Sequence, residues 1–243
     1  MLDKLKTNFL NKRSIQFHYY NIFHKFFCKK KPKHLFEYGY ILLEKKFPLN
    51  ILDLNKYTKY NNFEFVSDGR KIDFKDLKKI YKVLDKIGVL SIIKRYLGKN
   101  IYCYDNSIKT LGTIKSKDTS WQPHHDSKGR RLKIYIWINE KNLNTHPLFY
   151  IKKSHKNIIN WKNYEDTRFP NINSDKFDKI YGDKGNIIIF DTHGIHSHFK
   201  QTVVPRSVIE LTFEAFGFFN RLNKANILHE IKRLDLIKLE DLL

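Results

Sequence analysis

The sequence predicts a mainly β protein with flanking helices, built on an antiparallel sandwich, barrel or jelly roll. Three observations carry that expectation. From about residue 99, short runs rich in Ile, Tyr, Phe and Val alternate with turn residues: IYCY, KTLGTI, LKIYIWI, PLFYI, NIIIF and SVIELTF. Within residues 132–139, Leu132, Ile134, Ile136 and Ile138 alternate with Lys133, Tyr135, Trp137 and Asn139, which predicts one buried face and one more polar face of a strand. Helical periodicity lies before residue 99 and again over the last 20 residues, so helices come first, then a β core, then a closing helix.

The elements follow in order. Residues 1–35 read as a basic, aromatic N-terminal extension, with Ile15, Tyr19, Ile22, Phe23, Phe26 and Phe27 at helical spacing. Pro32 and the surrounding lysines should stop that helix. Residues 36–43, FEYGYILL, look like a strand. Asp73 is a candidate N-cap for a helix carried on by Leu77, Ile80, Tyr81, Leu84, Ile87 and Leu90, with Gly98 as its stop. Residues 36–220 form the expected β domain. Residues 221–243 return to a helical period, with Ile227, Ile231, Leu234 and Leu239, and read as a closing C-terminal helix.

A chain of 243 residues suits one domain with extensions, and 41% hydrophobic residues suffice for a core. Cys28 and Cys103 stand far apart, which excludes a disulfide scaffold and a CxxC zinc pair. Cys103 reads as a buried strand thiol. No stretch approaches the roughly 18 apolar residues of a membrane span, and the N-terminus lacks the apolar region of a secretory signal. The expectation is a cytoplasmic protein. The net charge is +21. Lysine occurs 37 times, isoleucine 28 and asparagine 21, against two alanines, a bias that A/T-rich codons explain as well as a ligand does. The excess is uneven: residues 1–100 hold 23 basic and 9 acidic side chains. An aromatic helix beside a lysine cluster there either caps the core, the more common arrangement, or makes peripheral contact with an anionic membrane. Nucleic acid is the less favoured partner.

The stretch WQPHHD carries His124 and Asp126 just before the strongest strand. On an extended segment these two side chains point the same way and could share a metal ion, while His125 points elsewhere. After NIIIF comes Asp191-Thr-His-Gly-Ile-His-Ser-His, where His193, His196 and His198 compete to supply a third ligand. Two histidines and a carboxylate on one face of an octahedron are the donor set of non-haem Fe(II) oxygenases. Arg206 opens the strand RSVIELTF, and a guanidinium fork suits a carboxylate such as the far end of 2-oxoglutarate. Arg206 shares its parity with Val208, Glu210 and Thr212, opposite the apolar Ile209, Leu211 and Phe213, so parity alone leaves open which face lines a cavity. Glu210 and Glu214 read as solvated strand residues, His155 as structural.

From about residue 36 to residue 216 the sequence resembles the phytanoyl-CoA dioxygenase family of Fe(II)/2-oxoglutarate oxygenases. The segments that carry the resemblance are WQPHHDSKGRRLKIYIWIN, HPLFYIKKSHK, GDKGNIIIFDTHGIHSH and PRSVIELTF. His146 and Lys153 stand where the family pattern has glycines. The resemblance implies a double-stranded β-helix, a cupin-like jelly roll. It implies iron ligation by His124, Asp126 and His196, with Arg206 on 2-oxoglutarate and Trp121 packed against that cosubstrate. Dioxygen is the second cosubstrate, and succinate and CO2 are released as an unactivated C–H bond is hydroxylated. Because Asp126 is present, the resemblance implies hydroxylation rather than halogenation.

The substrate itself is not legible. Lys128, Arg130, Arg131 and Lys133 are compatible with a phosphate or carboxylate on a small metabolite. Two other readings compete: a non-catalytic polyanion-binding protein on an oxygenase-like scaffold, and a cupin-like metal protein without 2-oxoglutarate.

Overall fold

The structure is a computed structural model, which describes residues 32–58, 69–98, 101–111, 122–126, 131–140, 147–156, 167–169, 171–197, 206–215 and 237–243. Trp121, Lys128, Arg130, His146, His198, residues 1–31 and most of the expected closing helix lie outside them.

Two antiparallel sheets make the frame. The larger contains β1 (Tyr40–Leu43), β9 (Ile187–Asp191), β5 (Arg131–Trp137), β11 (Arg206–Ala215) and β3 (Ile101–Leu111) in that spatial order. Two short strands, β2 (Gly69–Lys71) and β12 (Ile237–Lys238), pair with the outer side of β3. The smaller sheet runs β7 (Thr167–Arg168), β4 (His124–His125), β10 (His196–Ser197), β6 (Leu148–Tyr150) and β8 (Asp178–Ile180). This mainly β architecture is the jelly roll that the sequence predicts.

Strand alternation sorts the core. Leu132, Ile134 and Ile136 of β5, with Ile209, Leu211 and Phe213 of β11, join one apolar cluster with the helices. Tyr135, Trp137 and Val208, on the alternate positions, pack with Leu148, Tyr150 and Ile180 of the smaller sheet. The more polar face of β5 is therefore the interior of the jelly roll, and its more apolar face lies under the helices. Each fully buried Leu, Ile or Phe in these layers contributes roughly 1.5–3 kcal/mol.

Two helices cover the larger sheet. The first, here α3, spans Phe74–Lys86 and begins as expected: the Asp73 carboxylate accepts from the Asp76 amide at 2.8 Å. The expected continuous helix to residue 97 is broken at Gly88, which adopts φ 86, and α4 spans Val89–Leu97. Gly98 ends it, its amide bonded to the Lys94 carbonyl. A shorter α2 covers Asn55–Thr58.

Two expectations at the chain's edges are corrected. Residues 36–43 do not form one strand: α1 spans Lys33–Tyr38, Gly39 caps it at φ 92, and only Tyr40–Leu43 is extended. A Cβ on Gly39 would overlap the Tyr150 hydroxyl and the His155 ring. Glycine thus answers both a left-handed backbone and a close approach. At the other end, the described residues form β12 and a 3-10 turn, Leu239–Leu242, rather than an α-helix. Leu239 and Leu242 are buried in the helix-side core.

Lys153 has φ 67, the one positive φ at a non-glycine among the described residues. A left-handed backbone costs a residue with a Cβ roughly 1–2 kcal/mol. The position that resembles a family glycine therefore keeps the glycine conformation without the glycine. Lys153→Gly should raise stability by about 1 kcal/mol in denaturant unfolding. An unchanged or lower midpoint would show that the Lys153 side chain, 5.9 Å over the Tyr38 ring, offsets the backbone cost.

Candidate metal centre

His124 and His196 face each other across the β4–β10 pairing, as direct register partners. Their rings lie 4.5 Å apart between centroids. Asp126 follows β4 by one residue, with its amide bonded to the Thr192 carbonyl at 3.0 Å. His124 Nε2 is 3.0 Å from Asp126 Oδ1, and His196 Nε2 is 3.6 Å from Oδ2. One donor atom from each of the three falls within 4.8 Å of the others. The sequence-predicted set converges, and His196 is the distal histidine that joins it.

The backbone fixes the ring orientations. His124 Nδ1 sits 2.7 Å from the Gln122 carbonyl, and His196 Nδ1 sits 2.9 Å from the Gly194 carbonyl. A carbonyl only accepts, so each Nδ1 carries the hydrogen and each Nε2 presents its lone pair to the centre. Fixing the far ring nitrogen in this way is how metal-ligating histidines are oriented. Two lone pairs converging on a carboxylate repel unless a cation lies among them. Burial, and then His196, depress the His124 pKa and favour the neutral ring. Burial alone would raise Asp126, but Lys133, then His196 and His124, outweigh it and hold the acid well below the ordinary carboxylate range. Two neutral imidazoles and one carboxylate fit a divalent transition metal.

The turn that delivers His196 is clamped from several sides. Tyr96 donates to Asp191 Oδ2 at 2.6 Å, and Asp191 Oδ1 accepts from the His193 amide at 2.8 Å. Tyr150 donates to the Asp191 carbonyl at 2.8 Å, and Ser154 Oγ accepts from the Ile195 amide at 2.8 Å. A Cβ at Gly194 would overlap the Tyr150 hydroxyl, so this turn admits only glycine. His155 is structural as expected: its Nε2 donates to the Phe36 carbonyl at 3.0 Å and ties α1 to this region.

The other sequence candidates divide. His125 is buried on the opposite side of β4, 5.6 Å from the His193 ring and 6.0 Å from Phe169. His193 is fully buried and stands outside the ligand trio. Arg206 is completely buried on the inner face of β11, with its guanidinium carbon 5.6 Å over the Tyr135 ring. Burial lowers its pKa to about 10, so it remains a cation at neutral pH. The parity question is answered: Arg206 and Val208 face the interior, and Ile209, Leu211 and Phe213 face the helices. Burial pushes the Cys103 thiol up to about 12, as befits a buried strand cysteine.

Glu210 and Glu214 are not solvated. Glu210 is 2% exposed and meets Lys109 at 2.8 Å and Lys133 at 3.4 Å. Glu214 pairs with Arg131 at 2.9 Å and accepts from Tyr104 at 2.9 Å. Lys133 is mostly buried, with its Nζ 2.7 Å from Asp126 Oδ2. Arg131 and Lys133, which the sequence offers as cations for a substrate anion, are instead paired with these acids, and parity held the signal for the buried glutamate. Glu210 shares a face with Arg206, so an inward Arg206 entails an inward Glu210, which then needs buried cations.

By sequence, no family model and no curated protein matches the chain. By structure, it is similar to the epimerase SnoN, crystallised with Fe3+, alpha ketoglutarate and nogalamycin RO, at a TM-score of 0.53 and 11% identity over 75% of this chain and 81% of that one. It is similar to EvdO2 from Micromonospora carbonacea var. aurantiaca at a TM-score of 0.56 and 11% identity, covering 76% and 89%. It is also similar to HygX from Streptomyces hygroscopicus, crystallised with nickel, 2-oxoglutarate and hygromycin B, at a TM-score of 0.51 and 9% identity, covering 78% and 88%. The chain shares with these proteins a jelly-roll fold, and its own His124, Asp126 and His196 can bind a metal within it.

Proposed function

We propose that the protein is an Fe(II)/2-oxoglutarate-dependent dioxygenase that hydroxylates an unactivated C–H bond of a small metabolite. The observation that carries this is the convergence of two oriented Nε2 atoms and one carboxylate inside a jelly roll. The resemblance to the phytanoyl-CoA dioxygenase family supports the same assignment. Iron(II) bound by His124, Asp126 and His196 would supply the redox chemistry that couples decarboxylation of 2-oxoglutarate to oxidation of the substrate. Arg206 would hold the far carboxylate of 2-oxoglutarate, with Tyr135 as the floor beneath the guanidinium. Burial strengthens that charge pairing, because water does not screen it.

The inner face also bears on the substrate. Among the described residues, Lys109, Arg131, Lys133 and Arg206 stand against Asp126, Glu210 and Glu214. A divalent metal and a 2-oxoglutarate dianion cancel, and Arg168 of β7, the register partner of His124, adds to the four cations, so the surplus is positive. That balance favours a substrate with a carboxylate or phosphate. The competing polyanion-binding reading rests on the charge of residues 1–100, and its signature would be affinity that falls steeply with salt.

Anaerobic addition of Fe(II) and then 2-oxoglutarate should produce a weak visible charge-transfer band. Arg206→Ala should weaken 2-oxoglutarate binding about 100-fold, roughly 2.7 kcal/mol, while metal binding persists. A band and affinity unchanged in that variant would overturn the Arg206 assignment, and no band in the wild type would favour a metal protein that does not use 2-oxoglutarate. Asp126→Ala should abolish 2-oxoglutarate-dependent succinate formation at saturating iron; wild-type turnover in that variant would overturn the ligand assignment.

A further inference from the structure

Three neighbouring strands of the larger sheet place charged side chains in one row across the inner face. Glu210 lies on the central strand, β11. On one side, Lys109 of β3 stands opposite Val208, two residues from Glu210. On the other, Lys133 of β5 stands opposite Thr212, two residues the other way. Diagonal neighbours on a sheet lie within reach of long side chains, and both ammonium groups reach Glu210 Oε1, at 2.8 and 3.4 Å. Lys133 reaches further, to Asp126 Oδ2 at 2.7 Å, its closest acidic partner. The side chains of Lys133 and Glu210 are 15% and 3% exposed.

Such a row is a poor device for stability. A buried ion pair is often no better than apolar residues of the same volume. Its geometry points to another use. Resting on the metal-centre assignment above, we propose that Lys133 is a positioning residue that restricts Asp126 to ligation through one oxygen. The ammonium occupies Oδ2, which leaves Oδ1, beside His124 Nε2, as the oxygen free to ligate. Glu210 and Lys109 hold Lys133 in place from behind. A carboxylate that chelated through both oxygens would take a fourth coordination position. Two histidines and a one-oxygen carboxylate leave three positions open, enough for the two donor atoms of 2-oxoglutarate and one more ligand. Lys133 therefore protects the bidentate seat of the cosubstrate without touching it.

The test uses Co(II) as a probe that needs no turnover. Its visible absorption reports coordination number, and calorimetric titration of the Co(II) protein reports 2-oxoglutarate affinity. Four proteins are compared: wild type, Lys133→Met, Lys133→Arg and the double variant Lys133→Met/Glu210→Gln. The double variant removes one charge of each sign, so the net charge of the inner face is unchanged while the hydrogen bond to Oδ2 is lost. It also strands no second buried carboxylate, so it decides the matter even if Lys133→Met does not fold. The expected result is a changed Co(II) band and 2-oxoglutarate binding weakened by about tenfold or more in both Met-bearing proteins. Lys133→Arg, which keeps charge and donors, should restore both readouts. A double variant with the wild-type band and affinity would overturn the positioning role. Failure of the wild type itself to bind Co(II) and 2-oxoglutarate would overturn the proposed function instead.

Discussion

The pairing of β4 with β10 is the constraint on which the site depends. Each strand is only two residues long, yet their register sets His124 directly against His196. The rings cannot rotate freely, because each Nδ1 is committed to a carbonyl two residues earlier. What remains of each imidazole is one lone pair aimed at Asp126. Slipping the register by one residue would swap each histidine for a neighbour facing the other side of the sheet. The clamps around residues 191–196 serve that register, since they fix the turn that leads into β10.

The interior inverts the usual arrangement of a two-layer β protein. The most apolar face of the larger sheet lies under α3 and α4, and the face between the sheets carries the polar and charged groups. Isolated ions would not survive there, because burial disfavours the charged form of each. They are tolerated because they are matched. Burial opposes ionisation of Lys133, but Asp126 and then Glu210 more than offset it and leave its pKa well above the usual lysine value. Burial likewise opposes Glu210, and Lys133 with Lys109 hold it below the usual glutamate range. The helices supply the hydrophobic burial that the functional face gives up.

Much of this was legible in the residues. The His-x-Asp spacing, the separated histidine and the strand alternation in residues 132–139 all mark local geometry that a period of two preserves. Asp73 and Gly98 mark helix ends because a cap and a stop are local chemistry. What escaped was non-local. β7, β8 and β10 have two or three residues each, too few to show a period. The helix break at Gly88 was hidden within a continuous apolar pattern, and the helix at Lys33–Tyr38 was masked by strand-forming residues. The buried state of Lys133 and Glu210 required knowing which face of β11 looks inward, and sequence parity leaves that choice open.

One quieter feature lies at the margin of the larger sheet. The outer side of β3 is shared end to end: β2 covers the stretch around Ile108, and β12 covers Cys103 and Tyr102. Neither is long enough to count as a full neighbour, but together they occupy amide and carbonyl groups that an eleven-residue strand would otherwise offer to another chain. Segments separated by more than 160 residues in sequence thus act jointly as a selvedge, finishing a fabric that would fray into intermolecular pairing if either thread were drawn out.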